Sequence, residues 1–481
     1  MHTPSVIFII ADQHRWDFMG YEHNGVTLTP NLDNLARSGA VFHSAYCNAP
    51  LCGPSRQSLA SGRYGMNTGC YTNLHELAPG APTFVNQFRQ NGYRTCAIGK
   101  THMEIHAYDS DLRSYRHREF MQSLGWDETT EVSGNGLLST GIRCAYSEWL
   151  REQGRLAEVA KFYAHWNYAG LKRPDPLHEF QPLEWPLPEE FQETAFIGNR
   201  AVEWIKAHDR SKPFFLHVGF AGPHMPIEPP PQYLEAYRRI EEPPAWGAAD
   251  LPPWLPDARR GYRAMISQID SHVGKIREAL AAQGALENTI FVYTADHGEM
   301  AGDHGKFGKE VFFEGSMRVP LIVAGPGVKP GIDSRALVEL IDLGRTLNEV
   351  CRVPAHKLDQ GMSLQPILSG AATAHRDTIY GEMSCDRMIF DGRFKLFWGD
   401  SSRDTRSFGG PKHTHRPAYA APSPARLYDL QADPHELQDL VSDPAYAALM
   451  KTMLEKLLIR INENVQMAEF KSRGQVRPIL G

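Results

Sequence analysis

Val6-Ile7-Phe8-Ile9-Ile10-Ala11-Asp12-Gln13, near the start of the 481-residue chain, decides the architecture. The run is apolar and rich in β-branched residues, and polar Asp12 and Gln13 end it. Such a stretch predicts a strand buried on both faces of a parallel sheet, with polar groups at its carboxyl end. Apolar runs at 95–98, 214–218, 290–294 and 321–324 are further strand candidates, the last closed by Gly325-Pro326-Gly327. Helical patterns fall between them at 29–37, with Gly39 as the stop, and at 83–91, 194–208 and 261–283. Strands alternating with helices predict an α/β fold around a mostly parallel sheet flanked by helices.

The stretch 105–187 is rich in Trp, Tyr, Arg, Glu and Pro and shows no strand alternation, so it reads as an insertion of short helices. Proline-rich 228–231 and 243–256 read as surface loops. After about residue 375 the pattern changes. Residues 378–382, 387–390 and 394–398 look like short antiparallel strands, with a turn at Asp391-Gly392, and 444–465 reads as a helix. The expected division is a catalytic α/β domain over 1–375 and a smaller C-terminal α+β domain with an antiparallel sheet over 376–481. Residues 401–423 form a Gly/Pro/His/Arg-rich loop.

Composition is that of an ordinary globular protein: 42% hydrophobic, 22% charged, net charge −6. No block of like charge suggests nucleic acid or a basic membrane patch as a partner. No run approaches the ~20 apolar residues of a membrane span. Seven cysteines without a repeating spacing are not a disulfide framework. The first residues carry no secretory pattern, because the apolar run is broken at once by Asp12, Gln13, His14 and Arg15. A cytoplasmic location is the expectation.

Chemistry enters with Leu51-Cys52-Gly53-Pro54-Ser55-Arg56, which continues to Ser61-Gly62. Gly53 and Pro54 force a turn, so Cys52 is expected where the chain enters a helix. A helix N-terminus gathers free N–H groups and positive potential, which suits an anionic substrate or nucleophile. Arg56, one turn on, adds a cation. A cysteine taken alone is more often a buried free thiol or a metal ligand. Asp12-Gln13 follows one strand, and Thr294-Ala295-Asp296-His297-Gly298-Glu299 follows another. Two strand ends that each deliver a carboxylate and a second donor can bind one divalent ion, although an Asp helix cap and a hydrogen-bonded His are the everyday readings of each cluster alone.

These residues resemble the type I sulfatases of the alkaline phosphatase superfamily, nearest to choline-sulfatase-like and phosphonate-monoesterase-like members. The family signature, Cys-x-Pro-Ser-Arg with Ser/Thr-Gly shortly after, is matched by Cys52, Pro54, Ser55, Arg56, Ser61 and Gly62. The resemblance implies that a maturation enzyme oxidises Cys52 to formylglycine. The hydrated aldehyde then attacks sulfur through one hydroxyl, and loss of a proton from the other releases sulfate. It implies metal ligands at Asp12, Gln13, Asp296 and His297, with Ca²⁺ favoured by oxygen-rich ligation and Mn²⁺ or Mg²⁺ open. Gly99-Lys100-Thr101-His102 resembles a family element in which Lys100 binds sulfate and His102 takes the proton from the diol. His224, in Pro223-His224-Met225-Pro226, and Lys309, after Gly308, would hold sulfate and protonate the leaving alcohol. Asn73 falls where the choline-sulfatase-like branch contacts substrate.

The implied activity is hydrolysis of a sulfate ester to alcohol and inorganic sulfate. The alternative is a phosphonate monoester or phosphodiester hydrolase of the same superfamily, whose branch lacks the charged Lys-x-His pair. A metal-bound oxyanion-binding protein with unmodified Cys52 is the non-enzyme reading. Segments 106–118, 163–185 and 403–415 are candidates for the walls of the specificity pocket. The tail 470–481, with Lys471, Arg473 and Arg477 among Val476, Pro478, Ile479 and Leu480, reads in the everyday way as a disordered chain end; the competing reading is an arm that packs on a neighbouring subunit, and a homo-oligomer is expected.

Overall fold

A computed structural model of the chain describes residues 3–22, 26–106, 110–134, 138, 141–166, 180–209, 211–399 and 425–469. Loop 401–423, pocket candidate 403–415 and tail 470–481 lie outside the described residues, as does 167–179 of candidate 163–185.

Eight strands form the main sheet, in the spatial order Ile332–Ser334, Gly39–Phe42, Leu321–Ala324, Thr289–Ala295, Ser5–Asp12, Phe214–Pro223, Arg94–Gly99, Glu128–Glu131. Every pairing is parallel except the two made by Leu321–Ala324. Strand Ser5–Asp12 lies near the centre, in register with Phe214–Pro223 on one side (Val6 opposite Phe215) and Thr289–Ala295 on the other (Val6 opposite Ile290). Its side chains alternate between two cores. Val6, Phe8 and Ile10 pack with Leu59, Phe84, Phe88 and Leu343. Ile7, Ile9 and Ala11 pack with Leu32, Ile197, Ile269 and Val273. Helices therefore cover both faces: Cys52–Ser61, Phe84–Gln90 and Asp342–Val350 on one, Pro30–Arg37, Glu193–Ala207 and Leu255–Ala282 on the other. Burial on both faces is why the strand sequence is continuously apolar.

A separate antiparallel sheet follows, with Ile379–Met383, Asp386–Phe390, Phe394–Trp398 and Arg426–Asp429 side by side. Met388, Phe390, Phe397 and Tyr428 join the main core. Tyr380, Ile389, Leu396 and Leu427 pack with Met453 and Leu457 of helix Ala447–Glu469.

Three expectations are corrected. Stretch 105–187 is not wholly an insertion of short helices, because Glu128–Glu131 within it is the edge strand of the main sheet, parallel to Arg94–Gly99. An edge strand needs only one neighbour and can be polar on its open side, so it lacks the apolar run of a central strand. The loop expected over 243–256 ends early. Helix Leu255–Ala282 begins inside it, with Pro256 in the first turn, where no N–H is required. The terminal helix starts at Ala447, after a short 3₁₀ turn at Pro444–Tyr446. Among the described residues, no helix is long and apolar enough to cross a membrane.

Candidate active site

Four adjacent strands deliver side chains from their carboxyl ends to one place. Asp12 ends Ser5–Asp12, Lys100 follows Arg94–Gly99, His224 follows Phe214–Pro223, and Asp296 follows Thr289–Ala295. The carboxyl edge of an α/β sheet is where such folds bind ligands. The backbones there are close. A Cβ on Gly99 would stand 2.1 Å from the Gly219 carbonyl oxygen, and one on Gly298 2.0 Å from that of Gly315. Only glycine lets the chain turn outward at these two points.

Cys52 is the first residue of helix Cys52–Ser61, every residue of which is buried. Leu51 supplies no side-chain cap. Instead Asn73 Oδ1 accepts a hydrogen bond from Gly53 N at 2.9 Å, closing one of the free donors of the first turn. Pro54 sits where a missing N–H costs nothing. Ser55 Oγ donates to the Asp296 carbonyl, which ties the helix to the strand end.

Around the Cys52 sulfur, Lys309 Nζ lies at 3.0 Å, His297 Nε2 at 3.1 Å and Asp12 Oδ1 at 3.8 Å. His102 and His224 face it as well. Arg56 threads underneath. Its Nε meets Asp296 Oδ2 at 2.7 Å, its Nη2 meets Asp12 Oδ2 at 3.2 Å, and its Nη1 donates to the Lys100 carbonyl at 2.6 Å. Burial pushes the Cys52 thiol up, but Lys309, Lys100 and His297 outweigh it and hold the group well below its ordinary value. Burial also pushes Asp12 up, as does Cys52, and Lys100, His224 and Arg56 reverse the shift to leave a firmly ionised carboxylate. His102 is less basic than usual, first from burial and then from Lys100 and Arg56. Gln13 and His102 both hold positive φ (64° and 54°), a conformation that side chains other than glycine adopt where the surroundings enforce it.

All ten expected catalytic and metal-ligand positions, namely Asp12, Gln13, Cys52, Arg56, Lys100, His102, His224, Asp296, His297 and Lys309, thus meet at one centre, with Asn73 at its rim. Two carboxylates were missed from the sequence. Glu299 accepts from Gln13 Nε2, Ala301 N (2.9 Å) and Gly308 N (2.6 Å). It orients the Gln13 amide so that Oε1 faces Lys309 Nζ at 2.7 Å. Glu131 accepts from Thr101 N at 2.7 Å and from His102 N at 3.4 Å, fixing the turn that carries His102. The only sequence signal for Glu299 was its place two residues after His297. Glu131 gave none, since its strand was not recognised.

Oxygen or nitrogen atoms of Asp12, Asp296 and His297 and the sulfur of Cys52 lie within 4.8 Å of one another. Two carboxylates and an imidazole, with the Gln13 amide oxygen beside them, fit a divalent cation.

The sulfatase family profile matches residues 4–351. The chain belongs to the sulfatase family and is a sulfuric ester hydrolase. It is 27% identical to an arylsulfatase of Clostridium perfringens, with 95% of this chain and 94% of that protein covered. It is 26% identical to a choline-sulfatase of Rhizobium meliloti, covering 92% and 83%. In fold it is similar to the crystal structure of a phosphonate monoester hydrolase of Agrobacterium radiobacter, with a TM-score of 0.75, 24% identity and 96% of each chain covered.

Proposed function

We propose that the protein hydrolyses a sulfate ester to alcohol and inorganic sulfate, using a formylglycine made from Cys52 by a maturation enzyme and one divalent cation held by Asp12, Gln13, Asp296 and His297. The observation that carries this reading is the convergence of Lys309, His297, Lys100 and His102 on residue 52 at a helix N-terminus. Formylglycine supplies a hydroxyl nucleophile where the cysteine sulfur stands. The cation held by these residues, Ca²⁺ first and Mn²⁺ or Mg²⁺ next, would supply polarisation of a sulfate oxygen.

The chain's own groups do the remainder. Lys100, Lys309 and the helix N-terminus hold sulfate oxygens as charge develops on them. Arg56 is fully engaged with Asp12 and Asp296, so its part is to fix both carboxylates. His102, kept neutral by burial and nearby cations, accepts the proton whose loss frees sulfate. His224 and Lys309 protonate the leaving alcohol. Asn73 spends its carbonyl oxygen on Gly53, which leaves its amide nitrogen for substrate. The division at 375/376, the cytoplasmic location and a homo-oligomer belong to the same proposal. All seven cysteines are unpaired, in keeping with a reducing compartment.

The alternative, phosphonate monoester or phosphodiester hydrolysis, shares the nucleophile and the metal. Lys100 on Asp12 at 2.6 Å and His102 beside Cys52 favour sulfate. The deciding experiment is a hydrolysis screen of matured enzyme with aryl, choline, alkyl and sugar sulfates and a phosphonate monoester. Sulfate esters are expected to be turned over fastest. Turnover of the phosphonate alone would overturn the assignment.

A further inference from the structure

A row of imidazoles leads away from the reacting position. The ring of His106 stacks on that of His102, with centroids 4.7 Å apart and planes 22° from parallel. His102 Nδ1 is buried with no hydrogen-bond partner among the described residues. The ring nitrogens of His106 are buried as well, and the Ser133 backbone is the hydrogen-bonding group beside them. His117, within electrostatic reach of His106, has a buried and unpartnered Nε2, while its Nδ1 lies 2.6 Å from Glu104 Oε2. The Glu104 side chain is 14% exposed, so the row ends at solvent.

Buried ring nitrogens normally find partners. Under-partnered ring nitrogens on three successive imidazoles, strung from Cys52 toward the surface, are what a path for protons needs. We propose that His106 and His117 form a relay that carries the proton taken up by His102 outward to Glu104 and bulk water. The inference rests on the sulfatase reading, in which His102 is the base.

The balance is one proton and no electrons. His102 receives a proton on the nitrogen facing residue 52 and releases one from Nδ1. Stacked faces do not aim N–H bonds at one another, so the proposed transfers between rings would run through water at the ring edges. His106 takes a proton on one nitrogen and gives one from the other. His117 accepts at Nε2 and passes its Nδ1 proton to the Glu104 carboxylate.

The charges around the row set its direction. Lys100 and Arg56 flank the inner end, and Glu104, Glu131 and Asp111 surround His117. Arg116 lies 4.0 Å from Glu104 at the outer end. His106 is much less basic than an ordinary imidazole, from burial first and then from His102, Lys100 and His117. Burial lowers His117 too, but its hydrogen bond to Glu104 and the charge of Glu131 leave it more basic than usual. Proton affinity therefore rises from His106 to His117.

The stack could instead only hold His102 in place, and His106→Phe separates the two roles because it keeps a ring against His102 and removes both nitrogens. With 4-nitrophenyl sulfate in dilute, non-imidazole buffer, kcat is expected to fall at least about tenfold, short of the ~10²–10⁴ for loss of the base itself, with KM unchanged. Added imidazole should restore kcat in His106→Phe, and likewise in His117→Gln, while leaving the wild type unmoved. Unchanged kcat, or a loss that imidazole does not restore in either variant, overturns the relay and leaves the sulfatase reading standing. A wild type inert toward every sulfate ester removes that reading, and the relay with it.

Discussion

Lys100 Nζ sits 2.6 Å from Asp12 Oδ2, on the oxygen that also takes Arg56 at 3.2 Å. Asp12 is thereby split. Oδ2 faces two cations, and Oδ1 faces Cys52 and His297 at 3.8 and 4.0 Å. Lys100→Ala leaves Asp12 paired with Arg56 but removes a cation from the sulfate position. The expected loss is ~10²–10³ in kcat for sulfate esters, the usual effect of deleting one oxyanion donor, with circular dichroism unchanged. Wild-type kcat in this variant removes Lys100 from the machinery.

Cys52→Ala is expected to abolish turnover without disturbing the fold, since the small side chain fits at a first helical position. Mass spectrometry of active enzyme should find residue 52 no longer a cysteine. Activity retained by the alanine variant would rule out residue 52 as the nucleophile.

Dialysis against a strong chelator is expected to lower activity, with recovery on adding Ca²⁺ or Mn²⁺. Elemental analysis should find one divalent ion per chain, lost in Asp296→Ala. A fully active enzyme containing no such ion contradicts the ligand set.

The pH profile follows from His102. Its pKa lies below the usual imidazole value of about 6.5, and a base works only when unprotonated. Because His102 acts after the alcohol has left, the acid limb is expected in kcat, below about pH 6.5, with turnover lost as pH falls through the lowered pKa. His102→Ala should abolish this limb, cost ~10²–10⁴ in rate and show an initial burst of alcohol. An acid limb that persists in His102→Ala assigns the titration to another group.

Lys395 Nζ, buried, is shared by Glu314 Oε1 at 2.7 Å and Glu436 Oε1 at 2.8 Å. It joins the antiparallel sheet to the segment just after Lys309. Lys395→Met would leave Glu436 without its cation and Glu314 with only Arg318, at 3.4 Å, a loss of about 3–5 kcal/mol in stability, read by urea denaturation. A change well under about 1 kcal/mol, the scale of exposed pairs, would show that the three groups are not coupled.

How much was legible beforehand depended on where each signal was written. The central strands were readable because burial on both faces forces consecutive apolar residues, as in Val6–Ile10. Glu128-Thr129-Thr130-Glu131 was not, because an edge strand can be polar throughout. The residues touching Cys52 were found by family resemblance, their order in the chain giving no distances. Glu299 and Glu131 escaped because buried carboxylates that orient others have no spacing rule. The cap that Asn73 gives the Cys52 helix joins positions twenty residues apart and shows only in three dimensions.

Cys52 is 2% exposed, and its whole helix is interior. The residues on either side of Cys52 are buried too, so the finished fold offers an oxidising enzyme no exposed segment around it. On the proposed formylglycine reading, conversion of this cysteine would belong to the time before the helix docks against the sheet, while the polypeptide is still extended. On that same reading, a cell that makes the chain faster than it can oxidise it would accumulate well-folded but idle molecules that later exposure to the maturation enzyme would not rescue.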